Sequence, residues 1–368
     1  MMRPKRFITA LLLLQPLASL TYAQQGQLKY IGANDGPWNV DDSWLDENTL
    51  QHRTPTSNDI ARVPKNKSVK MTNETGSAYA LIIEGPVLQT DTPGTLKIEQ
   101  GCTLNLHGSG ANTTLNGELQ FVDASGTDDA PLLVIKNDHT ILKTDNSLTA
   151  RILGDVKSII RGDDANDTLT LGDEEDDTAR AAIMGDVDIE IELVNYGDVN
   201  ATHPTRQNPK PRITLKTHVK SGHGSWKATK GELIVDVDVT GAGQWTAGTD
   251  GLIQINDNVT TPSQAGTGAY LQADYNGKLE VNAAVSGFAD WKLGLTSAST
   301  APEIEINAAC TDLNGSFTMR RGLFDVNYAS CTEGQASLYS DSSTYDSVIE
   351  VHYDAQDPVF VTFSGSCP

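Results

Sequence analysis

Trp226-Lys-Ala-Thr-Lys-Gly231-Glu-Leu233-Ile-Val235 is followed by Trp245-Thr-Ala-Gly-Thr-Asp-Gly251-Leu252-Ile253-Gln-Ile255 and by Tyr270-Leu-Gln-Ala-Asp-Tyr-Asn-Gly277-Lys-Leu279-Glu-Val281. Two further lines repeat the pattern: Trp291 leads to Pro302-Glu-Ile304-Glu-Ile306, and Phe317 leads to Gly322-Leu323-Phe-Asp-Val326. Each line carries an aromatic residue, a turn residue and a strand of alternating apolar and polar side chains. The turn residue falls at 231, 251, 277, 302 and 322, in steps of 20, 26, 25 and 20, a spacing at which self-similarity marks stacked supersecondary units. So short a strand cannot bury its apolar row alone, so each line must pair with the next. The expected fold is all-β: a single-stranded right-handed parallel β-helix, or solenoid, with N- and C-terminal caps.

Working outward, weaker copies of the pattern stand at Gly94-Thr-Leu96-Lys-Ile98, Gly117-Glu-Leu119-Gln-Phe121 and Pro131-Leu-Leu133-Val-Ile135, in steps of 23 and 14. Gly101-Cys102-Thr-Leu104-Asn-Leu106 adds a second strand within one turn. Residues 136–222 are less regular. The run from Gly185 to Leu193 places acids at every outward position, as a solubilised strand does. Residues 195–211, with Pro204, Pro209 and Pro211, read as a loop thrown out from the stack, where binding faces often form. The resulting division is a signal segment at 1–23, an N-terminal cap at 24–93, the solenoid at 94–332 and C-terminal cap strands at 333–368.

Arg3, Lys5 and Arg6, the apolar run 8–14 and Thr21-Tyr22-Ala23 make a secretory signal cleaved before Gln24. Losing those three cations takes the net charge from −21 to −24. So acidic a body repels phosphate backbones and anionic lipid, which argues against nucleic-acid partners and direct membrane insertion.

Trp38 and Trp44, with Pro55-Thr-Ser-Asn-Asp59 after them, resemble the entry segment of secreted β-helical surface proteins and of G8-type domains. That resemblance implies that the two tryptophans plug the open end of the coil. The repeats resemble those of autotransporter passengers, although no stretch supplies the alternating segments of a translocating barrel. Residues 161–173 resemble one degenerate copy of the Gly-Asp nonapeptide of calcium-binding β-rolls, which implies Asp163, Asn166, Asp167 and Asp173 as calcium ligands. Eight acids within 163–177 equally describe a solvated loop.

Four cysteines in a secreted chain allow three pairings. Cys310 and Cys331 lie 21 apart, near one column of neighbouring turns, within the reach of a disulfide. Cys102 and Cys367 are then left to link rods head to tail, with Cys331–Cys367 the competing pairing. The aromatic column is either core or an outward ladder for sugar rings, core being the better reading. Asp236 and Asp238, on one strand face, with Arg320 or Arg321, are the best acids and bases for cleaving a polysaccharide. Alternating Asp is as readily a solubilising face. No metal-protease or phosphate-loop spacing occurs among the seven histidines and the glycines.

These features lean away from an enzyme and toward a secreted structural or adhesive protein, able to associate end to end and to meet a polysaccharide or host cell-surface ligand. The alternative is a polysaccharide-binding or polysaccharide-degrading β-helix.

Overall fold

A computed structural model describes residues 25–124, 128–144, 150–176, 178–206, 209–221, 224–241, 243–261, 268–287, 290–295, 301–307, 316–319, 322–326, 335–338 and 347–351. Among them are 35 strands and one short 3-10 turn. No helix is long and apolar enough to cross a membrane among the described residues. The strands form three long ladders, and nearly every pairing is parallel. The first ladder starts with Gly26–Tyr30, Asp59–Val63 and Ala80–Ile83. The second passes through Ser68–Met71, Thr95–Glu99 and Glu118–Val122. The third passes through Thr75–Ala78, Thr103–Leu106 and Leu132–Ile135. From Asp59 to Leu142 the chain therefore returns to the same ladder at every third strand. Arg151–Gly162 and Ala182–Glu190 are long enough to serve the second and third ladders at once, with an irregularity between Gly154 and Ser158.

Register bears out the repeat that the sequence announces. Glu232, Leu252, Lys278, Glu303 and Leu323 stand in one column of the third ladder, so the turn residues 231, 251, 277, 302 and 322 are equivalent. One line is out of phase by a residue. One column of the second ladder reads Trp226, Trp245, Leu271, Trp291, Phe317 in register, so Leu271 stands where Tyr270 was expected. Tyr270 faces outward, hydrogen-bonded to Gln244 and covered by the Lys292 ammonium at 4.0 Å. Trp226 and Trp245 are buried and stacked, with ring centroids 5.0 Å apart, so this column is core.

Three expectations need correction. Parallel pairing does not wait for residue 94: it starts at Gly26 and runs through Ser347–Val351, beyond both ends of 94–332. The step of 14 between Gly117 and Pro131 is not a full circuit, because Leu132–Ile135 pairs with Thr103–Leu106 and not with Glu118–Val122. Likewise Gly94 and Gly117 precede the second ladder, whereas Gly231 and Gly251 precede the third. Both corners use a turn followed by alternation, so local pattern does not distinguish them. Finally, Asp198–Ala201 is a strand of the second ladder, and the loop begins only at 202. The prolines start at 204, and the four residues before the loop alternate and keep their amide donors.

The corner between second and third ladders explains the glycines. Ala201, Ala228, Ala247 and Ala273 form a column that ends the second-ladder strands. A Cβ on Gly231, Gly251 or Gly277 would run into the backbone carbonyl of Ala201, Ala228 or Ala247 on the preceding circuit. Glycine is required there by close approach of two backbones.

At the start of the stack, Trp38 follows the first short strand of the second ladder and Trp44 opens the antiparallel strand that edges the first. Both are buried and pack edge to face with each other, and Trp44 also with Tyr30. The Trp44 Nε1 group donates to the Trp38 carbonyl at 2.7 Å. Neither is free to stack on a sugar.

One polar relay crosses the core: the Leu81 amide donates to Thr113 Oγ1, which lies 2.7 Å from His139 Nε2, while His139 Nδ1 meets the Gly108 carbonyl at 3.2 Å. Burial pushes the His139 imidazole down to about 4.

Gly251→Ala should lower stability by about 2–4 kcal/mol in thermal or urea unfolding, because backbone must move to admit the methyl group. Gly248→Ala, whose Cβ would sit 3.5 Å from its nearest neighbour, should stay within about 0.5 kcal/mol of wild type. For His139 the unfolded chain takes up a proton near pH 6.5 that the folded chain refuses until about pH 4. Stability from the neutral ring is complete above that window and falls by roughly 3 kcal/mol as pH drops through it. His139→Gln should flatten this part of the pH–stability curve relative to wild type.

Candidate functional site

Where the second ladder would pass straight into the third, residues 202–206 and 209–210 stand outside the ladders, because Pro204 and Pro209 cannot donate to a ladder. Two side chains tie this loop down. His203 Nε2 lies 2.6 Å from Asp155 Oδ1, and its Nδ1 accepts from the amides of Thr205 and Arg206 at 3.2 and 2.8 Å. An Nδ1 that accepts from two amides carries no proton, so the ring is the neutral Nε2–H tautomer donating to Asp155. Arg206 reaches Asp186 Oδ2 at 3.1 Å and donates to the Asp155 carbonyl. Burial lifts the Asp186 carboxyl above its ordinary range, and the Arg206 guanidinium restrains the rise.

Beside this clamp lies a cleft of about 530 Å³ on the outer face, crossing from the 151–162 strand to the 232–235 strand. Its floor includes Asp188 and Thr214, and its cations are Lys157, Lys210, Arg212 and Lys216. Lys216 Nζ sits 2.6 Å from Asp188 Oδ2 and 3.2 Å from Glu190, and these carboxylates hold its ammonium above the usual lysine range. Arg212 pairs with Glu232. Asp186 and Asp188 were expected simply to solubilise a strand. Instead Asp188 is only 6% exposed, because lysines from neighbouring circuits fold over it.

The proposed calcium ligands do not form one shell. Asp167 turns its carboxylate onto the amides of Asn137 and Asp164, at 2.9 and 2.7 Å. Asp163 pairs with Lys136, Asn166 is exposed, and Asp173 accepts from the Glu175 amide. The strand Thr168–Leu171 separates Asp173 from the other three by about 13 Å of extended chain. Among the described residues no three His, Cys, Asp or Glu side chains gather as a metal site. Cys310, Cys331 and Cys367 lie outside the described residues, as do the 1–23 segment, Arg320 and Arg321. Cys102 is free and completely buried, and burial pushes its thiol up. It therefore cannot link one rod to the next, because its sulfur faces the core, in the column of Leu233 and Ile253.

The suggested hydrolytic acids are also occupied. Asp236 accepts from Asn256 at 2.8 Å, which accepts from Asn282 at 2.9 Å, which accepts from Asn307 at 2.9 Å. Asp238 accepts from Asn258 at 3.2 Å. Sequence reading missed His203, Arg206 and Asp155: only the prolines marked the loop, and Asp155 is 48 positions from His203.

Arg206→Ala should leave Asp186 buried beside no guanidinium and release the loop. Hydrogen exchange of the 202–210 amides should rise by about tenfold or more while the ladder amides keep their protection.

Neither a protein-family model, a curated protein nor a solved structure matches this chain.

Proposed function

We propose that this is a secreted, right-handed single-stranded β-helix with capped ends, acting outside the cell as a non-catalytic structural or adhesive protein. The observation that carries this reading is the use of outward side chains to tie each circuit to the next. The acids best placed for hydrolysis, Asp236 and Asp238, belong to such rows. Lys278 bridges Glu280, Glu303 and Glu305 at 2.9, 3.3 and 2.5 Å in the same manner. A face built this way is a stiff surface and leaves few groups free to move protons. The paired, buried Trp38 and Trp44 support an N-terminal cap, and the basic, apolar and small-residue order of residues 1–23 supports export. End-to-end association, in this reading, runs through the rod's ends without Cys102.

Thirteen second-ladder strands at a step of ~4.8 Å correspond to a rod of roughly 55–60 Å. Small-angle scattering on residues 24–368 should return an elongated particle at least that long, and secreted material should begin at Gln24. A near-spherical envelope, or retention of residues 1–23 in exported protein, would contradict the reading.

A further inference from the structure

We infer that the cleft beside the 202–210 loop binds an acidic oligosaccharide, with one uronate carboxylate at Lys157 and another at Lys210. This rests on the adhesive reading and assigns it a ligand class. The chain carries a formal charge of −21, with 27 Lys and Arg against 48 Asp and Glu, yet four cations face this one cleft. Two of them are committed. Lys216 is held by Asp188 and Glu190, and Arg212 by Glu232.

The other two are not. Lys157 approaches Asp188 only to 3.5 Å, at the same Oδ2 that Lys216 already holds at 2.6 Å, and its side chain is 69% exposed. Lys210 meets no carboxylate among the described residues, only the Asp250 carbonyl at 3.3 Å. Lys157 reaches the circuit of Asp188 and Lys210 that of Asp250, three circuits further along the stack, so each ammonium takes its own carboxylate in a charge-assisted hydrogen bond.

The rest of the lining suits a sugar ring. Asp186, Asp188 and Glu232 present acceptors, Arg212 presents donors, and Thr214 offers a hydroxyl that does both. Hydroxyl groups, which donate and accept, satisfy such a mixed lining better than a run of like charges does. A long uniform polyanion is repelled by the acidic surface on either side. The cleft crosses strands of four successive circuits, about 14 Å along the stack, which limits the ligand to a short segment. His203 and Arg206 already hold the loop in place, so little ordering remains to be done on binding.

The test is calorimetry on the mature chain with hexagalacturonate, the uncharged galactose hexasaccharide, and hexaglutamate. Hexagalacturonate should bind, weaken with added salt, and lose at least about tenfold in affinity in the Lys157→Ala/Lys210→Ala double variant. Both lysines are surface residues, so the variant should keep the wild-type melting temperature. A Lys65→Ala/Lys67→Ala control, at another corner, should bind as wild type does. Absence of binding at millimolar hexagalacturonate, equal binding by the double variant, equal affinity for the uncharged hexasaccharide, or preference for hexaglutamate would each overturn the assignment. Scattering measures the rod independently, so a silent calorimeter with an elongated particle rejects the ligand and leaves the rod standing.

Discussion

Everything in this structure depends on main-chain hydrogen bonding between strands that lie some 16–33 positions apart in sequence, as in the Ala182–Asp198 and Gly26–Asp59 pairs. In a parallel ladder these bonds are evenly spaced, and each strand depends on the one before and the one after. Register then becomes a property of the whole stack, because a slip by one residue would turn every inward side chain of that strand outward. The Trp226–Trp245 stack and the Leu/Ile columns follow from register, since identical positions on successive circuits are brought directly over one another.

Stacking also dictates what happens at corners and on the outside. Backbones that turn over one another come too close for a side chain, and the alanine column at the end of the second ladder faces glycines on the next circuit. On the outside, a chain with this excess of acid would repel itself if like charges were stacked at ladder spacing. The structure answers with alternation along the stack: Arg212 over Glu232, Lys278 beside Glu303, and asparagines over aspartate. The cleft beside the 202–210 loop departs from this order. There the loop shields Asp186, and Lys157 and Lys210 lack full partners. Two ammoniums short of partners at one cleft mark a place where another molecule can complete the pattern.

Legibility in the sequence followed the range of the interactions. The turn column 231–251–277–302–322 was readable because each unit writes its own turn and strand within about ten residues. Tyr270 was misplaced because an aromatic beside an apolar residue leaves two phases open, and only pairing with Gln244 and Asp290 chooses. The ladders before residue 94 went unread because their circuits vary in length and lack the aromatic. The calcium pattern was legible as composition, yet the Asp167 carboxylate is taken up by backbone amides that a run of letters does not display.

By itself the sequence determined that this chain is all-β, that its strands repeat, and which residues turn. Those properties are local, set by alternation and by the backbone freedom of glycine and proline. Only the tertiary structure decided that there are three ladders, which corner each glycine serves, that Cys102 is sealed in the core, and that Asp155, Asp186, His203 and Arg206 meet. Those facts depend on which circuits lie above one another, and circuit lengths that vary from turn to turn leave that undetermined until the ladders close.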